Sequence, residues 1–496
     1  MRLSKNLLAG LVNSVWSAVV GLAVVPFYIK YLGIEAYGLI GFFVTFQAIF
    51  QLLDMGLAPT INREVARGYA TKKMQSARNL LHTLATIYWL IAVIIAAFIY
   101  YIAPYIAKFW FQTKSLQQNN ITQAVMLMGL IIASRWPVGL YMGALMGAQR
   151  LTITSGVNIV AISLANIGAI FILVYVSPTI QAFFIWQAMV GFIYAVSMRF
   201  FAWRIIGNSR NTRFEVNEIK RIWRFSAGMM GVSTTGLVLL QIDKLLLSKL
   251  LTLDDFGRYA LASVVASGLY VLLTPMFNAV YPRMSVMVAK GNFKELLGFY
   301  KDGTRLFLAI LFPIAISISV FSDKLLYVWT EDQSLAIIAS PIVSLLVMGT
   351  ALNGAMHFPY ALQLAFGESR LPLKINIILL SIMIPSIIVF VKTYGALGGA
   401  IAWAITNSVY LVVGTYITHN KILKGNAANW LFGDVGVPMI VALVFSGFGG
   451  VLVRYFNFQN LIEIFCILAL ACIAFMLTVI SSPRLRSQVL VFKLKI

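Results

Sequence analysis

Charged side chains are scarce in this sequence, and acidic ones most of all. Asp, Glu, Lys and Arg make up 11% of 496 residues, while 60% are hydrophobic and the mean hydropathy is +0.88. Soluble domains carry about a quarter charged residues, so this composition excludes an ordinary water-exposed surface and gives a polytopic membrane protein. Acidic residues number 16 against 38 basic, a net charge of +22. A nucleic-acid binder gathers such an excess on one face or arm. Here the basic residues are spread through short loops between apolar runs, which excludes nucleic acid as the partner and fits the positive-inside rule.

Cysteine is nearly absent. Cys466 and Cys472 share one apolar run, so neither a disulfide framework nor a metal site is expected. The three histidines, His82, His357 and His419, sit near the ends of apolar segments without ligand spacing and read as interfacial residues. Long hydrophilic segments are missing too. On the outer side of the membrane no segment between these runs is expected to exceed roughly 17 residues, about half of one supersecondary unit of ~30 residues. That leaves no room for an extramembrane catalytic domain and argues against an enzyme.

A hydrocarbon core of about 30 Å takes roughly 20 apolar residues per helix. On that measure fourteen runs stand out: 7–29, 37–61, 80–103, 121–148, 151–177, 179–199, 224–250, 256–281, 304–322, 334–357, 373–391, 396–418, 436–453 and 460–481. With the N-terminus inside, 28 of the 38 Lys and Arg fall on inside segments and 7 outside, the other three being Arg135, Lys244 and Arg258 within helices. Both termini are therefore expected in the cytoplasm. The first run follows the basic "MRLSK" but is long and is followed directly by a second, so it reads as an uncleaved helix rather than a signal peptide.

Internal symmetry appears in the hairpins. Glu35-Ala36-Tyr37-Gly38 aligns with Asp254-Asp255-Phe256-Gly257 at an offset of 219 residues, and each copy leads to an arginine, Arg63 or Arg283, that opens a basic loop. Six helices separate the copies, an even number, so both enter the membrane in the same sense. The expected architecture is all-α: two six-helix lobes, 1–210 and 211–425, related by a pseudo-two-fold along the membrane normal. An extra helix pair and a basic tail, 426–496, complete it. The acid and glycine of each turn also have a plain capping role.

The segments "YLGIEAYGLIGFFVTFQAIFQLLDMGLAPTINREVAR" and "QIDKLLLSKLLTLDDFGRYALASVVASGLYVLLTPMFNAVYPRMS" resemble the bacterial Wzx-type polysaccharide flippases. These O-antigen and exopolysaccharide repeat-unit transporters share a superfamily with multidrug extruders and murein-lipid flippases. The resemblance implies a multi-pass protein of the bacterial inner membrane whose cargo is an undecaprenyl-diphosphate-linked oligosaccharide. It also implies membrane lipids and the polysaccharide polymerase machinery as partners.

Ionisable groups inside spans are costly and mark candidate sites. Asp54 lies deep in the second run beside Pro59, which loosens the helix; it reads as an ion-coupling residue or as one half of an interhelix pair. Arg135 sits near the midplane of the fourth run ahead of Pro137. It reads as an anionic-ligand contact, since guanidinium matches phosphate in bidentate fashion, or as a salt bridge, with Asp54 the suggested partner. Gly139, Gly143 and Gly147 form a small-residue packing face. In "QIDKLLLSK", adjacent Asp243 and Lys244 diverge by about 100° on a helix and are not expected to pair. Lys244 reads as a snorkelling anchor or a cavity cation, and Asp243 as the partner of Arg258 or an ion-coupling group. Asn13, Ser14, Trp16 and Ser17 of the first run, with Ser233, Thr234, Thr235 and Gln241 of the seventh, offer contacts for sugar.

No cofactor is expected, and Na+ or H+ is the candidate coupling ion for alternating access. Asp54 and Asp243 against Arg135, Lys244 and the cavity candidate Arg258 give the cavity a slight cationic lean. The rival readings are an ion-coupled multidrug antiporter, a murein-precursor flippase and, from a different class, a polytopic glycosyltransferase or polymerase.

Overall fold

The computed structural model describes residues 2–54, 56–72, 74–207, 212–215, 234–456 and 460–481. Within them every regular element is helical, and one isolated bridge joins Gln112 to Thr252. The chain divides into two compact units, Met1–Ala260 and Leu261–Ile496.

In the first unit α1 (Arg2–Ala23) and α2 (Val25–Leu32) make one long apolar span, and Gly33, at φ +83°, turns the chain into α3 (Ile34–Phe50). The continuous helix expected over 37–61 is broken. A single 3-10 turn, Gln51–Asp54, follows α3, Gly56 adopts φ +72°, and α4 (Leu57–Thr71) starts afresh. The local chemistry explains the break. Gly56 takes the left-handed conformation at little steric cost, the Asp54 carboxylate accepts the Ala58 N–H (3.2 Å), and Pro59 lies in the first turn, where its missing donor leaves no bond unmade.

Next come α5 (Met74–Phe109), α6 (Gln118–Gly147), α7 (Leu151–Tyr175), α8 (Ile180–Ile206), a ninth helix, α9, over 234–250, and α10 (Leu253–Ser267), which passes into the second unit. Gly143 and Gly147 let α6 lie against the Ala58 and Asn62 carbonyls of α4. A Cβ at Gly139 would meet nothing within 4 Å, so the packing face covers two of its three glycines.

The repeat alignment has a physical counterpart in this unit. The helices α3 and α10 begin at Ile34 and Leu253, equivalent positions under the offset of 219. A Cβ on Gly38 would run into the Leu253 carbonyl, and one on Gly257 into the Ile34 carbonyl. The two hairpins thus cross reciprocally, each glycine seating the first carbonyl of the other helix.

The second unit continues with α11 (Tyr270–Ala289), bent 41° from α10, then α12 (Phe293–Val320), α13 (Ser322–Thr330), α14 (Gln333–Ala355) and α15 (His357–Ala365). Beyond them run α16 (Arg370–Tyr394), α17 (Ala396–Val409) and α18 (Thr415–Ile422), then α19 (Val437–Ala442), α20 (Gly449–Phe456) and α21 (Asn460–Ser481), with π-helical turns at Tyr410–Gly414, Asn429–Gly436 and Leu443–Phe448. His419 is not interfacial. It is fully buried, its ring nitrogens meeting the Thr415 carbonyl and the Tyr300 hydroxyl (3.2 Å), with Trp430 5.4 Å away between ring centroids. Asp434, placed by sequence in a loop, lies inside a helix that already begins at Asn429, and Arg305 Nε holds it at 2.6 Å.

Among the described residues ten helices are long and apolar enough to cross a membrane, eleven if the bent α10–α11 pair is one span. Of the remaining runs, the second is interrupted at Asp54–Gly56, the seventh is described only from residue 234, and the fourteenth has a shorter apolar helix, Phe465–Ile480. The outward faces carry large apolar side chains, as lipid contact demands. On α5 they end in Tyr100, Tyr101, Tyr105 and Phe109, all exposed, in the manner of an interfacial aromatic belt.

The crossing makes a prediction. Gly257→Ala forces a methyl against backbone and is expected to cost about 1–3 kcal/mol of overpacking. Gly139→Ala, entering open space, is expected to leave the unfolding temperature of the detergent-solubilised protein unchanged, and thermal melts of the two variants check the difference.

Candidate functional site

The first unit contains an open-sided cavity of about 640 Å³ whose walls repeat at helical spacing. From α3 come Phe43, Gln47 and Phe50, from α6 Arg135, Gly139 and Met142, and from α8 Phe183, Gln187 and Gly191. Steps of three and four residues put each set on one helical face. The helix break adds Gln51 and Asp54, and Tyr28, Asn158, Asn166 and Tyr194 fill in between. The volume falls within the roughly 300–1,000 Å³ of small-molecule sites, and aromatic walls with a few convergent polar groups are what such sites need.

Arg135 carries the positive charge here, and among the described residues no carboxylate pairs with it. Its Nη2 donates to Gln187 Oε1 (2.7 Å), and Gln187 Nε2 donates in turn to the Ala165 carbonyl (2.9 Å). The Arg135–Asp54 salt bridge entertained from sequence does not form. Asp54 faces the same cavity, but Tyr88 donates its hydroxyl to Oδ1 and Ala58 its N–H to Oδ2. Tyr88 is itself fully buried and stacks on Trp136 at 4.6 Å between centroids. One cation and one anion thus line the cavity, each with neutral partners, so the cationic lean expected from counting charges does not hold among the lining residues.

Amides supply the rest of the polarity. Tyr28 donates to Asn166, Tyr194 donates to Asn158 Oδ1 (3.0 Å), and Asn158 Nδ2 donates to Asn13 Oδ1 (2.8 Å). The side-chain amides of Gln47 and Gln51, one turn apart, make no hydrogen bond among the described residues and line the cavity.

A family model described as "Polysaccharide biosynthesis protein" matches residues 3–288. The chain belongs to that family. The resemblance read from the two hairpins therefore holds. A second model, described as MatE, matches residues 230–389. A candidate O-antigen transporter of Shigella flexneri is 23% identical over 405 residues, covering 79% of this chain and 94% of that protein. Two solved structures share the fold at TM-score 0.71. One is an inward-facing multidrug resistance transporter of the MATE family and MOP superfamily, at 15% identity over 82% of this chain and 94% of the other. The second is the lipid II flippase MurJ in an inward closed conformation, at 14% identity over 94% and 98%.

Within this family member the remaining expected site residues scatter. Lys244 folds back on its neighbour after all, Nζ lying 3.2 Å from Asp243 Oδ2, because a four-carbon stem bends far enough to cancel the 100° divergence. Asp243, 2% exposed, also accepts from the Tyr259 hydroxyl (2.7 Å). It does not pair with Arg258, which instead bridges Asp254 (2.7 Å) and Asp255 (2.8 Å). Glu35 accepts backbone N–H groups from Lys114 and Ser115, which ties the loop between α5 and α6 to α3 and caps neither helix. Of the first-helix set, Asn13 is linked to the cavity through Asn158; Ser14 and Ser17 turn back to carbonyls of their own helix, and Trp16 bonds Ser163. Thr234, Thr235 and Gln241 are half-buried on α9, from which Leu237 reaches the cavity, and Ser233 lies outside the described residues. Gln47, Gln51, Asn158, Asn166 and Gln187 lie on the second, fifth and sixth runs, whereas the neutral polar contacts expected from sequence were on the first and seventh, although two glutamines at i, i+4 in an apolar run were a visible signal.

The Asp54 clamp is open to test. Tyr88→Phe strips a donor from a carboxylate among apolar walls and is expected to cost about 1–3 kcal/mol. Asp54→Asn with Tyr88→Phe is expected to fall short of the sum of the single changes in thermal melts, as coupled partners do.

Proposed function

We propose that this protein moves undecaprenyl-diphosphate-linked oligosaccharide repeat units from the cytoplasmic to the periplasmic leaflet of the bacterial inner membrane by alternating access. The observation that carries the reading is Arg135, a cation held by a neutral amide in a cavity walled by amides and aromatic rings. A diphosphate and its sugars cannot enter hydrocarbon bare. Arg135 replaces water at a phosphate in the geometry guanidinium favours. Gln47, Gln51 and the Asn158 pair meet hydroxyls, the aromatic faces meet sugar rings, and the polyprenyl chain stays in lipid. The lobes 1–210 and 211–425 of the repeat are the moving bodies in this scheme, with 426–496 appended. The polymerase machinery takes the product.

Asp54 is the coupling candidate. Its carboxylate faces the cavity and already receives a phenol and a backbone N–H, donors that favour its ionised form and occupy oxygens a Na+ ion would need. Asp243, locked by Tyr259 and Lys244, is a weaker candidate, and Lys244 and Arg258 serve the hairpin rather than the cargo. A multidrug antiporter or a murein-precursor flippase shares this fold, and the MatE match favours keeping the former as the second reading.

In cells that depend on this chain for surface polysaccharide, Arg135→Ala is expected to cut display at least about tenfold at unchanged protein level, as loss of one charge-assisted contact of ~1.5 kcal/mol or more requires. Drug susceptibility of a deletion strain is expected to stay the same. Wild-type display by Arg135→Ala, or a changed drug profile, overturns the reading.

A further inference from the structure

Arg135 does not hold its place unaided, and the residues that seat it lie one turn apart on α8. Gln187 is 5% exposed, and its two ends are fixed independently. The amide nitrogen donates to the Ala165 carbonyl of α7 at 2.9 Å, which forces the oxygen toward α6, where it accepts from Arg135 Nη2 at 2.7 Å. An amide has only this one orientation in which both contacts are made. Gly191 follows one turn later. A Cβ there would lie 2.8 Å from Ser134 Oγ and 3.3 Å from Arg135 Nε, so the glycine keeps open the space through which the arginine stem passes.

We propose that Gln187, with Gly191 beside it, is the positioning residue that aims Arg135 at the cargo anion, an inference that rests on the reading of Arg135 as the diphosphate contact. The choice of glutamine matters chemically. A carboxylate at 187 would orient the guanidinium just as well but would neutralise it, and an apolar residue would leave the charge but free the side chain, which carries about 2 kcal/mol of rotamer entropy. A neutral acceptor, itself anchored to backbone, fixes the guanidinium without cancelling its charge and leaves its other N–H groups for bidentate recognition of phosphate. The fixed geometry also selects: a planar fork held in one orientation favours a planar pair of anionic oxygens over a diffuse negative charge.

The experiment is titration of the full-length detergent-solubilised protein with inorganic pyrophosphate by isothermal calorimetry, with thermal melts establishing that each variant is folded. Wild type is expected to bind and Arg135→Ala to lose binding. Gln187→Leu is expected to weaken it roughly tenfold, the scale of one hydrogen bond to a charged group. Gln187→Glu is expected to weaken it further by pairing with the arginine, and Gly191→Ala, which displaces the stem from the other side, to weaken it as well. The decisive comparison uses Arg135→Lys, which keeps the charge without the fork: Gln187→Leu is expected to weaken binding less in that background than in wild type, since Gln187 acts through the guanidinium. Should Gln187→Leu fail to fold, Gln187→Glu and Gly191→Ala carry the test. Wild-type affinity in the folded Gln187 and Gly191 variants, with Arg135→Ala impaired, overturns the positioning role and leaves the Arg135 reading standing. Equal binding by wild type and Arg135→Ala, or no binding by wild type, overturns both.

Discussion

A helix that breaks inside hydrocarbon must find new partners for the backbone groups it frees, because no water is present to take them. The second span does this with one side chain. Asp54 accepts the Ala58 N–H in the first turn of the restarted helix α4 and is tied by Tyr88 to α5, so the break is stitched to its neighbour as well as closed. Much of the first unit follows from that joint. It turns Gln51 and Asp54 toward the cavity, brings the Ala58 and Asn62 carbonyls against Gly143 and Gly147, and so sets the depth at which α6 presents Arg135.

The same economy governs several other charges within the described spans. Asp243 is answered by a tyrosine and the next lysine, Asp434 by Arg305, and Arg258 by the two aspartates of its own turn. Arg135 differs in having a neutral partner and an open side. Retaining an unneutralised guanidinium in a low-dielectric site is unfavourable, and under the proposed function a cargo bearing phosphate offsets that cost. On this account the binding energy for cargo is stored in the charge of Arg135, which has no carboxylate partner among the described residues, and Gln187 keeps it stored by orienting the arginine without quenching it.

Much of this was legible in the sequence, and the parts that were not have physical causes. Apolar runs of twenty residues gave helices because lipid tolerates little else, and the repeat surfaced as helices that begin at Ile34 and Leu253 and cross at reciprocal glycines. The broken helix was missed because hydropathy reads straight through "QLLDMGLAP", although an acid, a glycine and a proline spaced as cap, left-handed turn and first-turn residue were there to be seen. The Asp243–Lys244 pair was missed because angular separation on a helix constrains Cβ positions and leaves a long flexible stem free. The amides were missed for a different reason. A glutamine in an apolar run costs less than a charge and so stands out less, yet it is Gln187 that decides where the charge points.

The central claim is that cargo passes through this cavity beside Arg135, and site-specific photocrosslinking in living cells tests it most directly. A photoreactive residue at Met142, on the cavity wall, is predicted to capture a lipid-linked glycan that carries labelled sugar, whereas the same residue at Met189, on the exposed face of α8, captures unglycosylated lipid. Labelled sugar absent from position 142, or present equally at both positions, would contradict the account.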